Sequence, residues 1–151
     1  MKEILSKAAF LAGGVLAFSI TSLSQQGGTS GVKYFPSTEV NEAFSKGAPI
    51  YKEDGHNYKI TTGRREKTGT AELHTKDTDV FYIVDGSATF VTGGKLIAQT
   101  GKGEELRGTG IEGGETRHLV KGDVIIIPAN VPHWFKSIEA APFLYFVVKV
   151  Q

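Results

Sequence analysis

The chain has 151 residues, 40% of them hydrophobic, which is enough for one buried core and calls for no second domain. Its 17 basic and 16 acidic residues leave a formal net charge of +1, so no long-range field favours nucleic acid or an anionic membrane as a partner. Cysteine is absent, which excludes disulfides, thiolate metal sites, a cysteine nucleophile and a lipid-modified N-terminal cysteine, and leaves His, Asp and Glu to hold any metal.

At the N-terminus, Lys2 and Lys7 lead into the apolar run Ala8–Ile20 and then into small polar residues, the layout of a secretory signal. The run is 13 residues long, short of the roughly 20 that a permanent transmembrane helix requires. Residues 1–24 are expected to be removed after Ser24, giving a secreted or periplasmic protein without stable membrane insertion. An uncleaved anchor or a packed N-terminal helix is the alternative. Removing Lys2, Lys7 and Glu3 takes the net charge from +1 to zero. Residues 25–36 follow as a flexible tether, opening on Gln25–Gly31 with no apolar anchor, and the folded domain is expected over 37–151.

Ser37 or Thr38 can cap a short helix running to Lys46, with Glu39 and Glu42 near its positive end, Val40, Ala43 and Phe44 as its apolar side and Gly47 as its stop. Beyond it, 19 glycines in the whole chain and frequent Val, Ile, Thr and aromatic residues indicate short strands and tight turns, an all-β composition. Tyr51 and Tyr58–Thr62 form a first pair across Asp54-Gly55, with Ala71–His74 as a third strand and Asp79–Val84 as a fourth. Asp85-Gly86 then turns the chain into Ser87–Thr92, and Gly93-Gly94 turns it again into Lys95–Ala98, a β-meander. Gln99–Glu115 is glycine-rich and charged, with Leu106 and Ile111 its only large apolar residues, and reads as a long rim loop or irregular hairpin. Thr116–Val120, Val124–Ile127, Val131–Lys136 and Phe143–Val150 supply the closing strands.

Side chains alternate along a strand, so Glu72 and His74 share one side, where two metal-capable groups reach one ion without bending the backbone. By the same rule, if Asp79 faces inward then so do Phe81 and Ile83, while Val80, Tyr82 and Val84 face the other way, and if His133 faces inward Phe135 joins it and Trp134 turns outward. Two motifs follow in the sequence. The first is Glu72-Leu73-His74, four residues, Asp79, six residues, Gly86; the second is Gly122, five residues, Pro128, Ala129, Asn130, two residues, His133.

Together these resemble the paired motifs of the cupin superfamily. The first cupin motif usually reads His-x-His, three or four residues, Glu, six residues, Gly; the second reads Gly, five residues, Pro, x, Gly, two residues, His. Here Glu72 replaces the first histidine, Asp79 the glutamate and Asn130 the second glycine, and asparagine tolerates the left-handed backbone such a turn needs. The resemblance covers about residues 48–150. It implies an all-β, single-domain double-stranded β-helix, or jelly-roll barrel, with one short N-terminal helix.

Carried over position by position, the resemblance implies the metal ligands Glu72, His74, Asp79 and His133, a set that suits Fe, Mn or Zn better than a soft ion. Glu72 also reads as a general base, or as a carboxylate orienting a ligating imidazole. Asp79 either reaches the ion or, being short, leaves a site of three ligands, and without a metal His74 and His133 are interior histidines. His118 is a second candidate catalytic residue, on a strand where it or Arg117 faces inward; otherwise it is an exposed strand residue. Arg64, Arg65 and Lys67 either hold a substrate carboxylate or form a solvated strand end. His56 is read as a surface turn residue.

The cupin barrel hosts many chemistries, so the fold does not choose among them. The leading expectation is a metal-dependent enzyme, an oxygenase, isomerase or lyase, acting on a small organic molecule in the cavity. The competing one is a non-catalytic small-molecule or sugar binder with a degenerate or structural metal site. Small residues at Ala71, Ala88 and Ala129 argue against an interior filled solid by side chains. Val80, Tyr82, Trp134 and Phe143–Val148 need cover on the outer face, which is expected from a second subunit in a homodimer.

Overall fold

The computed structural model describes residues 31–151; the expected signal over 1–24 and the tether residues 25–30 lie outside the described residues. The first element is helix α1, Ser37–Lys46, closed by Gly47 in the left-handed conformation (φ 61°) as the sequence predicts. Its N-cap is Pro36 and not Ser37 or Thr38. The Pro36 carbonyl accepts the amides of Glu39 and Val40 at 3.0 and 3.1 Å. Proline lacks an amide of its own, so it loses nothing at a helix start. The helix buries Phe44, whose ring lies 4.8 Å from that of Phe146. Among the described residues no helix is long and apolar enough to cross a membrane.

Eleven strands follow: β1 (Pro49–Tyr51), β2 (Tyr58–Arg65), β3 (Ala71–His74), β4 (Thr78–Thr92), β5 (Lys95–Ile97), β6 (Thr100–Lys102), β7 (Glu105–Gly108), β8 (Gly110–Glu112), β9 (Glu115–Val120), β10 (Val124–Ile127) and β11 (His133–Val150). Nine of them share one sheet, with β1-β2-β11-β3-β7-β6 in order and β4 joined to β9, β10 and β11; β5 and β8 form a separate ribbon.

Three expectations are corrected. Asp85-Gly86 is not a hairpin turn: β4 runs unbroken for 15 residues, its first half pairing with β10 and its second with β9. Gly86 takes φ 81° at a bend inside the strand, where a Cβ would stand 2.4 Å from the Ala140 carbonyl oxygen. A left-handed glycine serves a strand bend as readily as a turn, and the dipeptide alone does not separate the two. Likewise Val131–Lys136 and Phe143–Val150 are not separate strands but parts of the 18-residue β11, which absorbs register shifts between Phe135 and Tyr145. Of the two readings of Gln99–Glu115 the loop is wrong and the irregular hairpin holds: the segment carries β6, β7 and β8, with β6 and β7 paired antiparallel and β7 hydrogen-bonded to β3.

Alternation on β4 is as expected, with Phe81 and Ile83 buried and Tyr82 48% exposed. Phe90, Phe135, Phe143 and Leu119 complete one hydrophobic core with them. The Phe90 and Phe135 rings lie 4.5 Å apart, and such aromatic pairs add about 0.5–1.5 kcal/mol beyond their burial. Across the sheet, Tyr145 faces Ile83, Val147 faces Phe81 and Lys149 faces Asp79. The inner faces of β4 and β11 therefore change together, from hydrocarbon to charge, and the site lies at the charged end.

Candidate metal centre

Cross-strand pairing builds the site in two rows. His133 on β11 faces Glu72 on β3, which in turn faces Arg107 on β7; beside this row, His74 on β3 faces Glu105 on β7. The second motif supports the first from behind: Asn130, at φ 66°, donates its amide to the His74 carbonyl at 2.8 Å. Asparagine thus fills the left-handed position expected of it.

Ligand atoms of Glu72, His74 and His133 lie within 4.8 Å of one another. His74 and His133 are 5% and 3% exposed, with ring centroids 5.1 Å apart. Their Nδ1 atoms face orienting oxygens: His74 Nδ1 is 2.9 Å from Glu105 Oε2 and His133 Nδ1 is 3.4 Å from the Val131 carbonyl. That leaves both Nε2 atoms toward the shared space, in the manner of imidazoles prepared for a metal. The Glu105 contact lacks hydrogen-bond alignment, and both buried ring nitrogens of His74 are without a hydrogen-bond partner. A buried polar atom left in this state needs a reason, and for His74 Nε2 an ion among two imidazoles and a carboxylate is a chemically sound one. The residues therefore fit a divalent metal.

Asp79 sits close by, with Oδ2 3.4 Å from His74 Nε2 and 3.9 Å from His133 Nε2. Its carboxylate, however, is held by Lys149, and it does not join the three-residue cluster. Burial alone would raise the Asp79 carboxyl, but His74 and Lys149 hold it below its ordinary value. Burial alone would lower His74, yet Asp79, with Glu105 behind it, holds the imidazole above its ordinary value. His133 is pushed down to about 4, chiefly by burial, and is a neutral imidazole near pH 7. Glu72 Oε1 accepts from Arg107 Nη1 at 2.6 Å.

Glu72, Asp79 and His133 line a cavity of about 500 Å³ with Arg65, Phe81, Phe135, Tyr145 and Val147. A second hollow of about 310 Å³, between Lys52–Lys59 and Gln151, meets none of the three clustered ligands. His118 does not line the main cavity: its side chain is 57% exposed on β9, with Nδ1 3.9 Å from Glu139 Oε2. His56 is also exposed, at 42% of its side chain. Sequence reasoning overlooked Glu105, Arg107, Tyr145 and Lys149. For Lys149 and Tyr145 a signal existed, since both share the alternation of Phe143 and Val147 on β11.

Residues 56–151 match the family model described as Cupin. No curated protein matches the chain. Among solved structures it is similar to an uncharacterized conserved protein with a double-stranded β-helix domain from Klebsiella pneumoniae, with 19% identity over 79% of this chain and 90% of that one and a TM-score of 0.50. It is similar too to Streptomyces PAC13 solved with uridine, at 12% identity over 67% of this chain and 64% of that one, TM-score 0.47. A third is hydroquinone 1,2-dioxygenase PnpCD solved with Cd2+ and 4-hydroxybenzonitrile, at 18% identity over 68% and 61%, TM-score 0.47. The chain thus spans less than two thirds of the PAC13 and PnpCD chains. The family match, over well more than half of its residues, shows that this chain belongs to the cupin family.

Proposed function

We propose that the protein is a metal-dependent enzyme acting on a small organic substrate, with Fe, Mn or Zn held by Glu72, His74 and His133. One observation carries this reading: three ligand atoms of the right kind converge within 4.8 Å, two of them from residues that line a cavity of about 500 Å³. Two imidazoles and one carboxylate leave coordination positions open to a substrate. When bound, such an ion supplies Lewis acidity to a substrate oxygen or, if redox-active, reactivity toward dioxygen.

The chain's own residues do the rest. Arg107 fixes Glu72, Glu105 orients His74, and the Lys149–Asp79 pair sets a fixed dipole beside both imidazoles. In the alternative in which Glu72 stands beside the ion instead of on it, its carboxylate at the cavity wall takes or returns a substrate proton. His118 is too far out on the surface of β9 to enter this reading.

The proposal includes export through residues 1–24 and a homodimer formed on the face of Tyr82, Val124 and Ile126, which are 48%, 62% and 61% exposed. The competing reading is a non-catalytic small-molecule binder, and Lys149 favours it, because its ammonium already neutralises Asp79, the second of the two carboxylates in the motif. Elemental analysis of the protein beside a His74→Ala/His133→Ala double variant decides between them in part. About one ion per chain, absent from the variant, supports the enzyme; no ion after reconstitution with Fe, Mn and Zn removes it and leaves the binder.

A further inference from the structure

We propose that the cavity takes a small organic carboxylate with an apolar body, anchored by the Arg65 guanidinium. This deepens the reading of the cavity as the substrate site and does not depend on which ion is bound. The argument begins with charge. The cavity is lined by the cations Lys46, Arg64, Arg65, Arg107 and Lys149. Four of them are answered by a carboxylate: Lys46 by Glu42 at 2.5 Å, Arg64 by Glu66 at 2.6 Å, Arg107 by Glu72 at 2.6 Å and Lys149 by Asp79 at 2.8 Å. Arg65 has no carboxylate within 4.0 Å among the described residues.

Arg65 is nonetheless half-buried and fixed in place. Its guanidinium carbon lies 4.7 Å from the centroid of the Phe135 ring, and its Nε donates to the Tyr145 hydroxyl at 3.1 Å. Two glycines make the arrangement possible. A Cβ on Gly69 would stand 2.5 Å from Arg65 Nη1, and one on Gly63 would stand 2.0 Å from the Tyr145 ring. An aromatic face, a phenol oxygen and a bare backbone position thus hold a planar cation without neutralising it. That differs from a solvated arginine, which keeps its rotamer freedom and its water.

The remaining donors define the ligand. Nε is occupied, so the two terminal nitrogens present a planar fork, the geometry that matches a carboxylate. Tyr145 accepts from Arg65 and keeps its own proton to donate, and burial holds the phenol above its ordinary value, in the donor form. A phosphate dianion calls for several uncommitted cations or backbone amides, and the other four cations here are already paired. Phe81, Phe135 and Val147 supply a hydrocarbon wall for the ligand's body, and Glu72 and His133 lie on the same cavity lining.

The test uses the full chain loaded with Zn2+ and two probes of equal shape, benzoate and its neutral isostere benzamide, titrated by calorimetry. Benzoate should bind about ten- to hundred-fold more tightly than benzamide, the range of a charge-assisted hydrogen-bonded contact. Arg65→Gln should abolish that preference, weakening benzoate far more than benzamide, while leaving metal content unchanged, and Arg65→Lys should retain part of the preference. If Arg65→Gln fails to fold, Arg65→Lys and Tyr145→Phe carry the test, each expected to weaken benzoate selectively. No saturable benzoate binding, equal affinity for both probes, or benzoate binding indifferent to Arg65 overturns the inference. Metal content is measured on the same samples. Arg65-dependent benzoate binding in a protein that takes up no metal removes the metal-enzyme reading alone, whereas metal uptake with indifference to Arg65 removes this inference alone.

Discussion

Lys149 Nζ stands 2.8 Å from both carboxylate oxygens of Asp79, and the two residues face each other directly across β11 and β4. The lysine occupies the side of Asp79 that a metal would otherwise claim, while Asp79 Oδ2 keeps within 3.4 Å of His74 Nε2. Lys149→Met should therefore act in two directions. Without metal it leaves the buried carboxylate with only the His74 imidazole, 3.4 Å away, to answer it, which costs at most about 3–5 kcal/mol. With metal it frees Asp79 as a fourth ligand and removes a neighbouring positive charge, so affinity for Zn2+ should rise. Urea unfolding with and without Zn2+ measures both, and a variant that is destabilised yet gains no more from Zn2+ than wild type shows that Asp79 does not reach the ion.

Glu105 offers a milder perturbation. Its side chain is 48% exposed, so Glu105→Gln should leave the fold intact while loosening the orientation of His74. Loss of such an orienting carboxylate typically lowers metal affinity about 10- to 100-fold. Competition against a chromogenic chelator gives the value, and an unchanged affinity would mean that β7 contributes no support to the centre.

Asp77 controls stability in acid. Burial alone would raise its carboxyl, but Lys59 at 2.9 Å and Gln151 at 2.7 Å hold it below its ordinary value. A depressed carboxyl contributes stability above its unfolded value, near 3.9, and loses it as pH falls through the lower folded value. Asp77→Asn should cost about 1–3 kcal/mol at neutral pH. In denaturant titrations the gap to wild type should narrow as pH falls below the unfolded carboxyl value and close once it is below the depressed folded one; a gap that is constant with pH would assign the effect to packing instead.

Gly63→Ala tests how the cavity wall is held open. The new methyl would meet the Tyr145 ring at 2.0 Å, and Tyr145 is 7% exposed with little room to retreat. Overpacking of this kind costs about 1–3 kcal/mol. Thermal unfolding should show the loss, and a variant as stable as wild type would mean that the ring swings freely.

The outer face of β10 makes the proposed dimer testable. Val124 and Ile126 point away from the buried Ile127 and are 62% and 61% exposed. Ile126→Lys should shift the protein from dimer to monomer in sedimentation while leaving its circular dichroism unchanged. A wild-type protein that already sediments as a monomer removes the dimer from the proposal.

Much of this was legible because the side-chain period of a strand is a hard constraint. Phe81, Ile83, His133 and Phe135 are buried as alternation requires, and Gly47 and Asn130 adopt the left-handed backbone their residue types invite. What was illegible depended on pairing between distant segments. β7 carries a single large apolar residue, Leu106, and is held by backbone hydrogen bonds to β3, so no hydrophobic pattern announces it. Arg107 and Glu105 reach the site only through that register. Lys149 was a different failure: the pattern of Phe143, Tyr145 and Val147 points it inward, but a lysine near a strand end is ordinarily taken to extend into water. His118 shows the reverse case, a titratable residue beside the second motif that faces away from the cavity.

The two walls of the centre also differ in how firmly the sheet holds them. β11, which carries His133, is hydrogen-bonded to β2, β3 and β4, whereas β6 and β7 form a short hairpin at the end of the sheet order. Amides of the hairpin should open without disturbing the core, and exchange faster with solvent than those of β11. Such a margin can be lengthened, shortened or recharged at little cost to folding. Over evolutionary time, Glu105 and Arg107 are therefore the positions through which a new reactivity can be installed while the histidine opposite stays where it is.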